Sequence, residues 1–390
     1  MVSKKSFYKL LISILFILLS SNDVYCYQEK KDSLDYFEND LSSEICNKAV
    51  NPNKYSSEIH KNYILKKNIK YGEAKGFYTS KTLNQSDNFD FSLIAKEVLN
   101  ILGKTLKKPD NLPLYMDIYA PNKNNKIKKP ILLFIHGGGF FLGDKNNKLQ
   151  EVLTDHLIEN DFAVASINYR LGASLWNFND IKKAIYRAVQ DVRSALRYIT
   201  EYADELNIDT DKIYLAGSSS GGIIALMTAF MEEDNVFKCC DSKGFKNRFG
   251  GLDDSGNAIN SEFKIAGIIS LWGSVTDLSI IDEHKNIPTL LFHGTEDNIL
   301  YNDRGTPFYE HLGKNFIKKF FRSEVLFGSK SIYKQLTSYN IPARYVEFEG
   351  YNHAPHVEKD GSFNKNIDII KREIIDFMNS DRPIYSSEIH

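Results

Sequence analysis

An α/β architecture, a mostly parallel central sheet flanked by helices, is what this sequence of 390 residues predicts. Three observations carry that expectation. Short, continuous apolar runs recur along the chain, as strands buried on both faces require. Segments with apolar residues at helical spacing separate them, so strands and helices alternate. The stretches rich in Gly, Ser and His follow directly after the apolar runs, at the strand ends where such sheets hold their sites.

The elements follow in order. Residues 27–64 are polar and without period, and read as a surface arm. Leu114 to Ala120 alternates as an early strand that ends at Pro121. Pro130 to Ile135 (PILLFI) and Phe162 to Asn168 (FAVASIN) are buried strands. Ile181 to Tyr202 is helical by the spacing of Ile185, Ala188, Val189, Val192, Leu196 and Ile199. Lys212 to Ala216 is a third buried strand and Gly222 to Phe230 the helix after it. Ile265 to Leu271 and Pro288 to Phe292 supply two more strands, Ala343 to Phe348 the last, and Ile367 to Met378 an amphipathic C-terminal helix. Two insertions, near 232–262 and 303–340, interrupt this rhythm, the second largely helical by pattern. They are expected to form a cap or pocket rim on one domain spanning 65–380, with 381–390 as a tail. A hexapeptide, Tyr55 to His60 (YSSEIH), returns as Tyr385 to His390, and Ser42 to Ile45 echoes it.

Composition excludes some partners. The 49 basic and 50 acidic residues leave a formal charge of -1, so nothing favours nucleic acid or an anionic membrane surface. Lys4, Lys5 and Lys9 precede the apolar run Leu10 to Ser20, which is about half the length of a bilayer span. Residues 1–26 therefore read as a signal peptide cleaved after Cys26, and the mature chain as secreted or otherwise extracytoplasmic, without stable membrane association. Of the four cysteines, Cys46 with Cys239 or Cys240 is the expected bridge. No CxxC or HxxxH spacing predicts a metal site, and no cofactor is expected. Asn84-Gln85-Ser86 is a glycosylation sequon.

Gly217-Ser218-Ser219-Ser220-Gly221 lies between the strand KIYLA and the helix GIIALMTAF. G-x-S-x-G on a strand-turn-helix exposes a serine nucleophile on a strained turn. About 0.1 such matches are expected by chance in this length, so the context adds most of the weight. Only Ser219 has glycine at both -2 and +2. His136-Gly137-Gly138-Gly139 follows the strand PILLFI directly, and its glycines free backbone N–H groups to face a developing oxyanion. Gly138 and Gly139, with the N–H of Ser220, are assigned to that role, and His136 to bracing the loop.

These motifs identify a resemblance. FIHGGGFFLGDK, SINYRLG, YRAVQDVRSALRYI, IDTDKIYLAGSSSGG and LLFHGTEDNIL stand in the order found in the carboxylesterase and lipase-like branch of the α/β-hydrolase superfamily, with its HGGG motif. The similarity covers about residues 112–378. Ser220 departs from the usual Ala there but keeps its N–H. The resemblance implies an α/β-hydrolase fold and a Ser, acid, His order of catalytic residues. Asp297, in HGTED after the strand PTLLF, takes the acid's place, with Asp277 and Glu296 as rivals. His353, in GYNHAP after the strand RYVEF, takes the base's place, with His356 as rival. Arg170 and Asp191 read as scaffolding.

The implied activity is hydrolysis of carboxylic esters through an acyl-enzyme, on small-molecule or polysaccharide-linked esters. Short acyl groups are the expected class, acetyl or feruloyl the specific expectation. A serine peptidase of the same fold and a non-catalytic, cholinesterase-like binding protein are the alternatives.

Overall fold

The computed structural model describes residues 56–76, 110–122, 127–140, 143–172, 178–233, 249–308, 324–380 and 385–390. The expected signal, most of the arm, all four cysteines and Asn84 lie outside the described residues. A ten-stranded sheet organises the rest, in the order β1-β2-β3-β5-β4-β6-β7-β9-β12-β13. Its strands are β1 (Ser56–Ile59), β2 (Tyr63–Gly76), β3 (Asp110–Pro121), β4 (Lys129–Ile135), β5 (Ala163–Ile167), β6 (Ile208–Ser218), β7 (Gly267–Leu271), β9 (Thr289–Gly294), β12 (Ala343–Phe348) and β13 (Tyr385–Ile389). β1, β2, β3 and β5 pair antiparallel. From β5 to β13 every pairing is parallel.

The parallel strands are apolar throughout because helices cover both faces. Strand period divides β4 between them. Leu132 and Phe134 join a cluster with Leu149, Leu153 and Leu157 of helix α1 (Lys148–Glu159) and Ile370, Ile374 and Phe377 of α6 (Asn366–Asn379). Ile131, Leu133 and Ile135 alternate with these and are equally buried. Helix α2 (Phe178–Glu201) packs on α4 (Ser220–Phe230), which touches β4, β6 and β7. Every residue of α4 is buried, as its mostly apolar sequence demands. Two further helices are α3 (Ala203–Leu206) and α5 (Ser329–Ser338). A small second sheet, β10-β11-β8, joins Arg304–Gly305, Leu326–Gly328 and Ser274–Val275.

Sequence and structure differ at the chain ends. The described part of the expected arm is not loose: it forms β1 and the start of β2. The C-terminal tail likewise forms β13, so the sheet reaches beyond 65–380 at both ends. The two YSSEIH copies thus supply opposite edges of one sheet. Their serines and glutamate suit an edge strand, where unpaired backbone and side chains meet water. Glu388 pairs with Arg344 at 2.8 Å, and the last residue, His390, bonds the backbone of Glu347 and Glu349. α1 was not anticipated, although Leu149, Leu153 and Leu157 lie at helical spacing. The second insertion carries α5 but also β10 and β11, so it is helical only in part; its residues 309–323 lie outside the described ones. The described part of the first insertion packs away from the carboxyl ends of the strands. Asp253 binds Arg193 and Arg197 of α2, and Gly256 bonds β2 through Glu73.

Candidate active site

The strand β6 ends at Ser218 and α4 begins at Ser220, leaving Ser219 alone at the turn with φ 54° and ψ -119°. A non-glycine residue rarely adopts positive φ, and one that does is held there by its surroundings. The surroundings are visible. A Cβ on Gly217 would lie 2.2 Å from Gly221 O, and one on Gly221 would lie 2.0 Å from Ile135 O. Helix α4 therefore rests against the end of β4 at a separation only glycine permits.

Directly beyond β4, Gly138 and Gly139 take φ values of 109° and 63°, turning the chain past the serine. His136 is buried beneath this loop. Its Nδ1 lies 2.7 Å from Gly137 O, so Nδ1 carries the hydrogen, and its ring stacks on Tyr169 with centroids 4.4 Å apart. Tyr169 donates to His136 O at 3.1 Å. Burial pushes the His136 imidazole down to about 4, with the Gly137 carbonyl and Asp144 opposing; the ring is neutral at pH 7 and braces the loop. Farther along, Lys145 pairs with buried Asp117 of β3, which also accepts from Asn68 N at 2.6 Å. Arg170 and Asp191 form a buried pair at 2.8 Å. Burial raises the Asp191 carboxyl and Arg170 opposes the rise. Both act as scaffold between β5 and α2.

Asp297 follows β9 and is buried. Its Oδ1 accepts from Ile299 N and Leu300 N, both at 2.9 Å. Its Oδ2 lies 2.7 Å from His353 Nδ1 and 3.1 Å from His293 Nε2. Burial alone would raise this carboxyl, but His353 and His293 outweigh it and hold the group well below the usual carboxylate range. His353 follows β12, in a loop laced to the acid's loop: Glu296 N bonds Tyr351 O at 2.9 Å, and Gly350 N bonds Thr295 Oγ1 at 2.8 Å. A carboxylate only accepts, so Nδ1 of His353 carries the hydrogen and Nε2 is free to accept. Nε2 lies 2.8 Å from Ser219 Oγ. Three side chains from three strand ends thus form one hydrogen-bonded line.

The rivals sit elsewhere. Asp277 accepts from Ser279 N at 2.8 Å and caps a short 3₁₀ turn. Glu296 is exposed. His356 is buried, stacked on Trp272 at 4.8 Å and on Phe363 at 5.6 Å. Sequence reasoning missed His293, whose only signal was its place four residues before Asp297 on a buried strand.

Beside Ser219 lies an apolar cavity of about 40 Å³. Gly139, Ser220, Ile185, Leu300, Phe308 and Leu326 are among its walls, so the second insertion supplies part of the rim and the described part of the first supplies none. Among the described residues no group of three or more His, Cys, Asp or Glu is placed to hold a metal ion, and no helix is long and apolar enough to cross a membrane.

Residues 116–287 match the BD-FAE family. The chain is 28% identical over 221 residues to the Arabidopsis thaliana protein named "Probable isoprenylcysteine alpha-carbonyl methylesterase ICMEL1", covering 50% of this chain and 44% of that one. It is 29% identical over 123 residues to "Esterase LipI" of Mycobacterium tuberculosis, covering 31% and 36%. The chain therefore spans less than half the length of these curated relatives. Among solved structures, the apo form of Thermogutta terrifontis esterase 2 superposes with a TM-score of 0.46 at 18% identity, covering 70% of this chain and 92% of that one. Over residues 116–287 the chain matches the BD-FAE family of α/β-hydrolases, and its motifs are similar to those of the carboxylesterase and lipase-like branch.

Proposed function

We propose that this chain is an exported serine esterase that cleaves short-chain acyl esters through Ser219, His353 and Asp297. The observation that carries the reading is the continuous line Asp297–His353–Ser219, with contacts of 2.7 and 2.8 Å. Ser219 Oγ attacks the ester carbonyl while its proton passes to His353 Nε2. Asp297, kept ionised, fixes the imidazole tautomer and steadies the imidazolium. The oxygen that becomes negative is received by the N–H groups of Gly138, Gly139 and Ser220. As the first residue of α4, Ser220 has an N–H with no intrahelical partner. His353 then returns the proton to the leaving alcohol, and water releases the acyl group by the same route.

The cavity beside Ser219 supports the short-chain reading. The described part of the cavity, about 40 Å³, supports short acyl chains such as acetyl. Its walls offer apolar surface from Ile185, Ile223, Leu300 and Phe308, so an uncharged acyl group is favoured. Export rests on the basic and apolar pattern of residues 1–26.

A panel of p-nitrophenyl esters from acetate to octanoate, with a dipeptide p-nitroanilide beside it, tests the reading. Turnover is expected to be greatest from acetate to butyrate and to fall steeply beyond. Preference for the dipeptide amide would mark a peptidase, and no turnover at all would mark a binding protein.

A further inference from the structure

The line of hydrogen bonds does not stop at Asp297. His293 lies on β9 with a fully buried side chain, and strand period sends it to the face opposite Phe292, where α5 packs. Its Nε2 lies 2.7 Å from Leu300 O and 3.1 Å from Asp297 Oδ2. Both are acceptors, so Nε2 carries the hydrogen and shares it between them. The bare Nδ1 then accepts from Ser329 Oγ, 2.8 Å away at the first turn of α5.

We infer that His293, held in this tautomer by Ser329, is a positioning residue for the acid and extends the catalytic line to Ser329–His293–Asp297–His353–Ser219. The inference rests on the esterase reading above. His293 acts on both oxygens of the carboxylate. It occupies one lone pair of Oδ2 directly, leaving the other for His353. It also pins Leu300 O, and the N–H of Leu300 is one of two amides that bind Oδ1 at 2.9 Å. The turn 297–300 is thus closed by His293 from outside. Because Leu300 also lines the cavity beside Ser219, the same ring ties the acyl wall to the acid.

Desolvation sharpens the effect. In a buried site a carboxylate with an unfilled lone pair rotates toward whatever donor is nearest, and a small rotation removes Oδ2 from the 2.7 Å contact with His353. Four donors on two oxygens leave it one orientation.

The test uses the full chain and p-nitrophenyl acetate. His293→Leu is expected to lower kcat about 10- to 100-fold, the range for one hydrogen bond to a charged group, with KM changed less than about twofold. His293→Gln, whose amide still donates at the Nε2 position, is expected to restore most of that loss. Ser329→Ala, a milder change that keeps the core filled, is expected to lower kcat about 3- to 10-fold. On an Asp297→Asn background, His293→Leu is expected to add little, since a residue acting through the acid has nothing left to act on. Full additivity on that background, or wild-type kcat in both His293→Leu and Ser329→Ala, would overturn the positioning role. Absence of turnover in the wild-type chain would instead overturn the esterase reading itself.

Discussion

Replacing Asp297 by Asn keeps the shape of the side chain and turns one acceptor into a donor. The structure shows which one. Ile299 N and Leu300 N, both 2.9 Å from Oδ1, claim the remaining carbonyl oxygen. The new amide then faces two ring N–H groups, from His353 at 2.7 Å and His293 at 3.1 Å. Two donors cannot face a third, so His353 moves its hydrogen to Nε2 and donates to Ser219 Oγ where it should accept. Under the proposed mechanism the variant keeps the N–H groups of Gly138, Gly139 and Ser220 and its cavity but loses its base. Wrong-tautomer variants of this kind lose about 10⁴-fold in kcat, and at about 1.4 kcal/mol per tenfold this is about 5.5 kcal/mol on the barrier. Steady-state hydrolysis of p-nitrophenyl acetate, with circular dichroism to confirm folding, measures it. A folded Asp297→Asn variant within about tenfold of wild type would refute the reasoning, most plainly if Asp277→Asn proved the damaging change.

Three further outcomes follow from other parts of the site. Gly221→Ala places a Cβ 2.0 Å from Ile135 O and 2.7 Å from His136 O; both are backbone atoms, so urea unfolding is expected to show a loss of about 3 kcal/mol. His136 titrates near 6.5 when unfolded and about 4 when folded, so between those values the unfolded chain binds more protons and stability falls as pH falls, by up to about 3 kcal/mol at pH 4. Denaturation curves at pH 7, 5 and 4 are expected to show that slope, and His136→Asn to flatten it. Ile185→Ala removes part of the cavity wall; the ratio of hexanoate to acetate turnover is expected to rise, with about 2–5 kcal/mol of stability lost.

Much of this arrangement was legible in the residues. The runs PILLFI and KIYLA are apolar on both faces, which only a covered strand tolerates, and their ends located the glycine loop and Ser219. Asp297 and His353 were legible through their order after two further strands. β2 was not, because bulges between Lys66 and Ile69 and between Lys70 and Gly72 interrupt its pairing, so Ile69 and Ala74, opposite Met116 and Leu112 on one face, stand five residues apart and show no two-residue period. β1 and β13 were missed for another reason: edge strands bury little, and Ile59 and Ile389 remain 79% and 71% exposed. His293 was hidden because a histidine on a buried strand looks the same whether or not an acid folds back onto it. The cavity depends on Pro307, Phe308 and Leu326, whose meeting is a matter of tertiary path rather than local pattern.

The proposed mechanism requires that the hydroxyl of Ser219, and neither neighbouring serine, be the group that His353 activates. Treatment of the full chain with a fluorophosphonate, followed by peptide mass spectrometry, tests this most directly. The expected result is one phosphonyl adduct on Ser219, lost in His353→Ala while that variant remains folded. An adduct on Ser218 or Ser220, or labelling of Ser219 at an unchanged rate without His353, would contradict it.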